Sequence, residues 1–161
     1  MAQLFQRRQN SNTHFFREWT RLTGLTLDFE VTEPSALMVW GHLDVHHRGL
    51  VNGVIGYAGC LCLESADTLD DLGSPPYTFS PPFNNAHRIA GSTNGGNILS
   101  ETDHYGKIIW SGSAILIPKA YRLTAYACSH SSLDKERDGL AEVLIEGTGG
   151  LNLLNALITP L

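Results

Sequence analysis

The chain has 161 residues, 42% hydrophobic and 17% charged, with a formal net charge of −5. This length suits one domain with a substantial core, and the acidic balance argues against a nucleic-acid-binding footprint. The charged fraction falls below the usual quarter, so part of the surface is expected to be covered by a partner or by copies of the chain itself.

Residues 1–13 are polar, rich in Gln, Asn and Arg. They read as an N-terminal arm or a first edge strand rather than as core, with 14–161 as the folded domain. Arg7, Arg8, Arg17 and Arg21 make this end locally basic, and such a segment suits docking to an acidic surface. The first residues run into Arg7 and Arg8 without the apolar run of a signal peptide. No stretch approaches the length of a transmembrane helix. The expectation is a soluble product of the cytosol with neither membrane nor nucleic acid as a partner.

Residues 13–19 are aromatic and suit an edge strand. From Leu25 to Val31 apolar and polar residues alternate strictly, as a strand with one face in a core and one in water requires. Pro34 ends that strand. Residues 36–47 form the longest extended run. Leu37, Val39, Gly41, Leu43 and Val45 share one face, which reads as core. Met38, Trp40, His42, Asp44 and His46 share the other, a mixed stripe of the kind found at subunit interfaces, where Met and aromatics are enriched. A further strand or hairpin is expected over 53–64.

Residues 65–100 hold most of the Pro, Asn, Ser and Asp, and read as a long excursion with short strands near 77–79 and 87–89. Asn94, Gly95 and Gly96 read as a turn. Strands follow at 107–117, 121–128, 140–146 and 151–158. No window carries a sustained helical period with caps. Eight to ten short strands separated by turns predict a sandwich, jelly roll or barrel.

Chemistry-bearing constellations are sparse. His42 and His46 share a strand face but stand about 13 Å apart, too far to chelate one ion alone. Cys60 and Cys62 lie two apart on one strand face, and with Cys128 they read as small buried hydrophobes. Glu64, Asp67, Asp70 and Asp71 form an acidic loop without the glycine or spacing of a calcium site. Glu101, Asp103 and His104 put a carboxylate beside a histidine, but no nucleophile elbow, Walker loop or dinucleotide fingerprint accompanies them. The expectation is a non-enzymatic chain with no cofactor and no metal.

Residues 22–35, with Leu25, Leu27, Phe29 and Val31 leading to Pro34 and Ser35, resemble the opening of the TNF/C1q-like jelly rolls found in bacterial and phage proteins. The next strand of those domains resembles 36–45, with Val39, Trp40, Gly41 and His42. Residues 110–127 resemble their paired strands around a short turn. Here the turn reads Pro118, Lys119, Ala120, Tyr121, where many relatives carry a glycine. Residues 150–157 resemble the closing strand near a trimer axis. The resemblance spans 20–158. It implies an all-β, antiparallel jelly-roll β-sandwich that forms a homotrimer, with Met38, Trp40, His42, Leu151 and Leu153 at the trimer interface. It also implies a virion location: capsid decoration (cement) on a bacteriophage, with the major capsid protein as partner. Phe5, Arg7 and Arg8 of the N-terminal segment are the expected docking residues. The alternative is a receptor- or glycan-binding tail-fibre tip, with specificity in the loops at 65–105.

Overall fold

The computed structural model describes residues 1–9, 13–14, 19–48, 53–73, 78–79, 86–98, 104–131, 142–145 and 152–161. The strands in chain order are β1 (Gln3–Arg8), β2 (Thr13–His14), β3 (Trp19–Val31), β4 (Ser35–Arg48), β5 (Gly53–Ala66), β6 (Thr78–Phe79), β7 (Ala86–Ile98), β8 (His104–Leu116), β9 (Lys119–Ser131), β10 (Glu142–Ile145) and β11 (Leu153–Pro160). A single 3-10 turn, Asp70–Leu72, follows β5 among the described residues.

All pairings are antiparallel and fall into two sheets. In the first, β4 carries β8 along one edge, while β11 and β10 take successive stretches of the other; β1 closes beyond β11 and β2 beyond β10. The second runs β6-β3-β9-β5-β7. The strands of six or more residues, β1, β3, β4, β5, β7, β8, β9 and β11, take ranks one to eight in chain order. The sheets then read 1-8-3-6 and 2-7-4-5. This interleaving defines the double Greek key of a jelly roll.

Period-two alternation puts one side chain in two between the sheets. Leu37, Val39, Leu43 and Val45 of β4 meet Leu25, Leu27, Phe29 and Val31 of β3, with Ile108, Trp110 and Leu116 of β8 and Leu123, Ala125 and Ala127 of β9 in the same core. The inward face read for residues 37–45 is this one. Leu22 and Leu25 are both buried although three apart, because the β3–β9 register shifts between Arg21 and Thr26 and reverses the strand's phase. Gly24 sits in this irregularity, and its N–H donates to Gln9 Oε1 at 2.8 Å. A Cβ at Gly24 would lie 2.6 Å from the Arg8 carbonyl oxygen, so only glycine lets the incoming chain pass this close.

Two expectations are corrected. Residues 3–8 are not an arm outside the sandwich. They pair with β11 from Gln3–Ile158 to Arg8–Leu153, the edge-strand alternative. Phe5 packs on the core and stacks with Phe29 at 6.3 Å between ring centroids, and Phe29 stacks with Tyr121 at 5.6 Å. The polar composition hid this because an edge strand needs only one inward side chain to be held. The excursion expected over 65–100 is also shorter. β5 continues to Ala66, and 86–98 forms a full strand in which Gly95 and Gly96 stand opposite Gly56 and Ile55 instead of turning. Pairing along the whole of β5 overrides the local turn chemistry.

The β8–β9 turn forms without glycine. The Tyr121 hydroxyl donates to the Ile117 carbonyl at 2.9 Å and accepts from the Ile117 N–H at 3.1 Å, which fixes the turn from inside.

Candidate interaction surface

The outward face of the first sheet follows from its register. His42 stands between Ile109 of β8 and Leu153 of β11, with Arg8 beyond on β1. Trp40 stands between Ser111 and Asn155, with Gln6 beyond. Met38 stands between Ser113 and Leu157, with Leu4 beyond. Ala36 continues the pattern with Ile115 and Thr159. The grid is four strands wide, roughly 15 Å by 25 Å at ordinary strand spacing.

This face is open and carries large apolar side chains among Ser111, Ser113, Gln6 and Asn155. Ile109, Ile115 and Leu4 are 63%, 70% and 66% exposed, and Met38, Trp40 and Ile117 are also exposed. Large exposed apolar side chains scattered singly need no explanation, but a contiguous patch of several hundred Å² marks an interaction site. Charge is confined to its margins. Arg8 lies on the edge strand, and Lys107 pairs with Asp44 at 3.7 Å at one end. That exposed pair contributes little to stability.

The structure brings Met38, Trp40 and His42 of the outward stripe together with Leu153 on this surface. Leu151 lies outside the described residues. Arg7 and Arg8 are exposed on the edge strand, and Arg7 Nη1 donates to the Gln6 carbonyl at 3.3 Å. Phe5 is no docking residue: its ring faces inward against Phe29. Sequence reasoning missed Ile109, Ile115, Leu4 and Leu157. The signal was in β8, where Ile108 with Ile109 and Ile115 with Leu116 place an apolar residue on both sides of the strand.

The other outward face, on β3-β9-β5, carries Arg122, the one charged residue that is buried among the described residues. Arg122 of β9 stands between Asp28 of β3 and Glu64 of β5. Its guanidinium grips Asp28 bidentately, Nε to Oδ1 at 2.7 Å and Nη2 to Oδ2 at 2.8 Å. Nη1 donates to the Gly73 carbonyl, and to that of Leu72 at 3.4 Å, so it holds down the 3-10 turn. The bonds to Asp28 push the Arg122 pKa up, and burial pushes that of Glu64 up against the lowering pull of Arg122. Beside this clamp Cys60, Cys62 and Tyr126 are buried with Trp19 packed on them. The two thiols are unbridged, 3.9 Å apart. Burial pushes the Tyr126 phenol well above its ordinary range.

Among the described residues no group of three or more His, Cys, Asp or Glu side chains converges on one point. His42 and Asp44 lie on the open face, and the Asp70 and Asp71 side chains are exposed in the 3-10 turn. Glu101 and Asp103 lie outside the described residues, as does the His104 side chain.

No family model matches the chain, and no curated protein matches it. Among solved structures it is similar to Eiger TNF from S. frugiperda, at 6% identity and a TM-score of 0.48 over 99% of this chain and 93% of that one. It is similar to an aminopeptidase from a marine sediment Thaumarchaeota archaeon, at 10% identity and a TM-score of 0.47, covering 84% of this chain and 26% of that one. It is also similar to a chain of infectious bursal disease virus, Gx strain, at 6% identity and a TM-score of 0.39, covering 98% and 37%. The chain thus spans about a quarter of the aminopeptidase and just over a third of the viral chain. The jelly-roll assignment rests on the strand order and pairings given above.

Proposed function

We propose that this protein is a non-enzymatic structural component of a virion, a homotrimer that decorates and cements a bacteriophage capsid. The observation that carries the self-association is the open apolar face of β1-β11-β4-β8, with Met38, Trp40 and Ile109 at its middle. Copies of the chain suit this face because its charge lies at the margins, so three copies gather it about a common axis without like-charge repulsion despite the net −5. The virion location is supported by the sequence resemblance of residues 22–45 and 110–127 to phage jelly rolls. The mechanism is linkage: a trimer that binds assembled capsid protein and not loose subunits stabilises the shell by mass action. With Phe5 turned inward, Arg7 and Arg8 on the free edge of β1 are the proposed contacts to an acidic capsid surface.

The first test is the native mass at low micromolar concentration, followed by mixing with particles and with host cells. One species at three copies of 17.6 kDa, about 53 kDa, that co-sediments with particles is the expected result. A monomer overturns the reading. A trimer that binds cells and ignores particles replaces capsid decoration with a receptor-binding fibre tip. Arg7→Ala with Arg8→Ala is expected to weaken particle binding and leave the trimer intact.

A further inference from the structure

Gln6 and Asn155 stand side by side on the two outer strands of the open face, β1 and β11, in the same row as Trp40. The register pairs them directly, and Gln6 Nε2 donates to Asn155 Oδ1 at 2.9 Å. Asn155 Nδ2 donates to the Trp40 carbonyl at 3.4 Å. Apolar residues flank the two amides on three sides, with Arg8 as the polar neighbour of Gln6 on β1. Leu153 and Leu157 flank Asn155 on β11, Trp40 faces it across β4, and Leu4 lies two residues from Gln6 on β1.

We propose that this amide pair fixes the register and copy number of the assembly. The inference rests on the reading that further copies of this chain cover the face. Apolar contact is non-directional, so a face of Leu, Ile and Met alone accepts many relative placements of its partner. An amide removes that freedom. Covered without a partner, it costs on the order of tenfold to a hundredfold in association. One N–H of each side-chain amide and the Gln6 side-chain oxygen Oε1 have no protein partner among the described residues. They form a donor and acceptor set that another copy of the same pair satisfies. An arrangement that brings amides of neighbouring copies together is therefore favoured over all that bury them against Leu or Ile. A single buried asparagine sets strand number in coiled coils by the same means, at a cost in stability.

The test replaces the amides with an apolar residue of similar size: Gln6→Leu, Asn155→Leu and the double variant. Native mass spectrometry and sedimentation over a dilution series are read with far-UV circular dichroism to confirm the sheets. Wild type is expected at one mass. The double variant is expected to withstand about tenfold greater dilution and to spread over several masses. If it stays at the wild-type mass, or associates more weakly at that mass, the inference is overturned while the self-association reading stands. If wild type itself is monomeric at every concentration, the reading fails and the inference with it. Gln6→Leu, on an exposed edge strand, carries the test alone if the double variant does not fold.

Discussion

The two sheets of this sandwich have outer faces of different chemistry and opposite fates. On β3-β9-β5, Asp28 and Glu30 are exposed toward the β3 side, while the outward residues Cys60, Cys62, Arg122, Thr124 and Tyr126 are buried. The chain covers them itself, with Trp19 packed on the thiols and the phenol, and with the 3-10 turn held down through Arg122. On β1-β11-β4-β8 the outward positions hold Leu4, Met38, Trp40, Ile109 and Ile115, all exposed. One face is completed within the chain; the other is left to be completed by something else. A clamp of charge and hydrogen bonds needs its partners in the same molecule, because buried charge without a partner is costly. An apolar face carries no such demand and suits a partner that arrives later.

The largest expected effect breaks the open face. Trp40→Asp combined with Ile109→Asp puts like charges into the surface where copies meet. Association should weaken at least a hundredfold, seen as a fall in native mass to that of one chain. Both side chains are exposed, so urea unfolding of the dilute chain should move by no more than about 0.5 kcal/mol. Substantial unfolding would show that this face is a finished part of the monomer, like its opposite.

Arg122→Ala breaks the closed face. It leaves Asp28 without its bidentate partner and releases the Leu72 and Gly73 carbonyls. About 3 kcal/mol of stability should be lost by urea denaturation, the lower end for a broken buried pair because Asp28 is part exposed. A change below about 1 kcal/mol would mean that the cover does not depend on the clamp.

The smallest effect sharpens the same clamp. Burial raises the Glu64 pKa above its unfolded value, Arg122 pulls it back, and Asp28 adds to the rise. A carboxylate with a raised folded pKa contributes stability that is fully present below its ordinary range and is lost as the pH climbs through the folded value. Glu64→Gln should therefore raise the unfolding midpoint at neutral pH and leave it unchanged in acid below the ordinary glutamate range. A midpoint that falls at neutral pH would show that attraction to Arg122 outweighs the burial cost.

Much of this was legible in the sequence. The alternation in residues 25–31 and 37–45 gives the inward faces of β3 and β4, and Met38, Trp40 and His42 mark the outward stripe of β4. The rest was hidden for specific reasons. β7 contains Asn94, Gly95 and Gly96, which read as a turn in isolation and form a strand only because β5 lies alongside with Gly53, Gly56 and Gly59. Gly59 passes beneath the core, where a Cβ would press to 2.5 Å on Ile108 and 2.8 Å on Trp110, a demand that no local pattern announces. β1 looks like a tail because one aromatic ring, that of Phe5, anchors it to residues remote in the chain.

The sequence by itself determined that the chain would fold as strands with one face inward, because a period of two follows from the pleat and needs no long-range information. It also determined that the outward side of residues 38–42 would be a mixed stripe carrying Met38, Trp40 and His42. Only the tertiary structure decided which strands lie side by side. The order 1-8-3-6 and 2-7-4-5 joins residues more than a hundred positions apart, such as Gln6 with Asn155, through pairing that no local window contains. Because strand order decides which outward residues become neighbours, it also decided that Leu4, Met38, Trp40 and Ile109 form one continuous surface, while Cys60, Tyr126 and Arg122 came to lie beneath the chain's own cover.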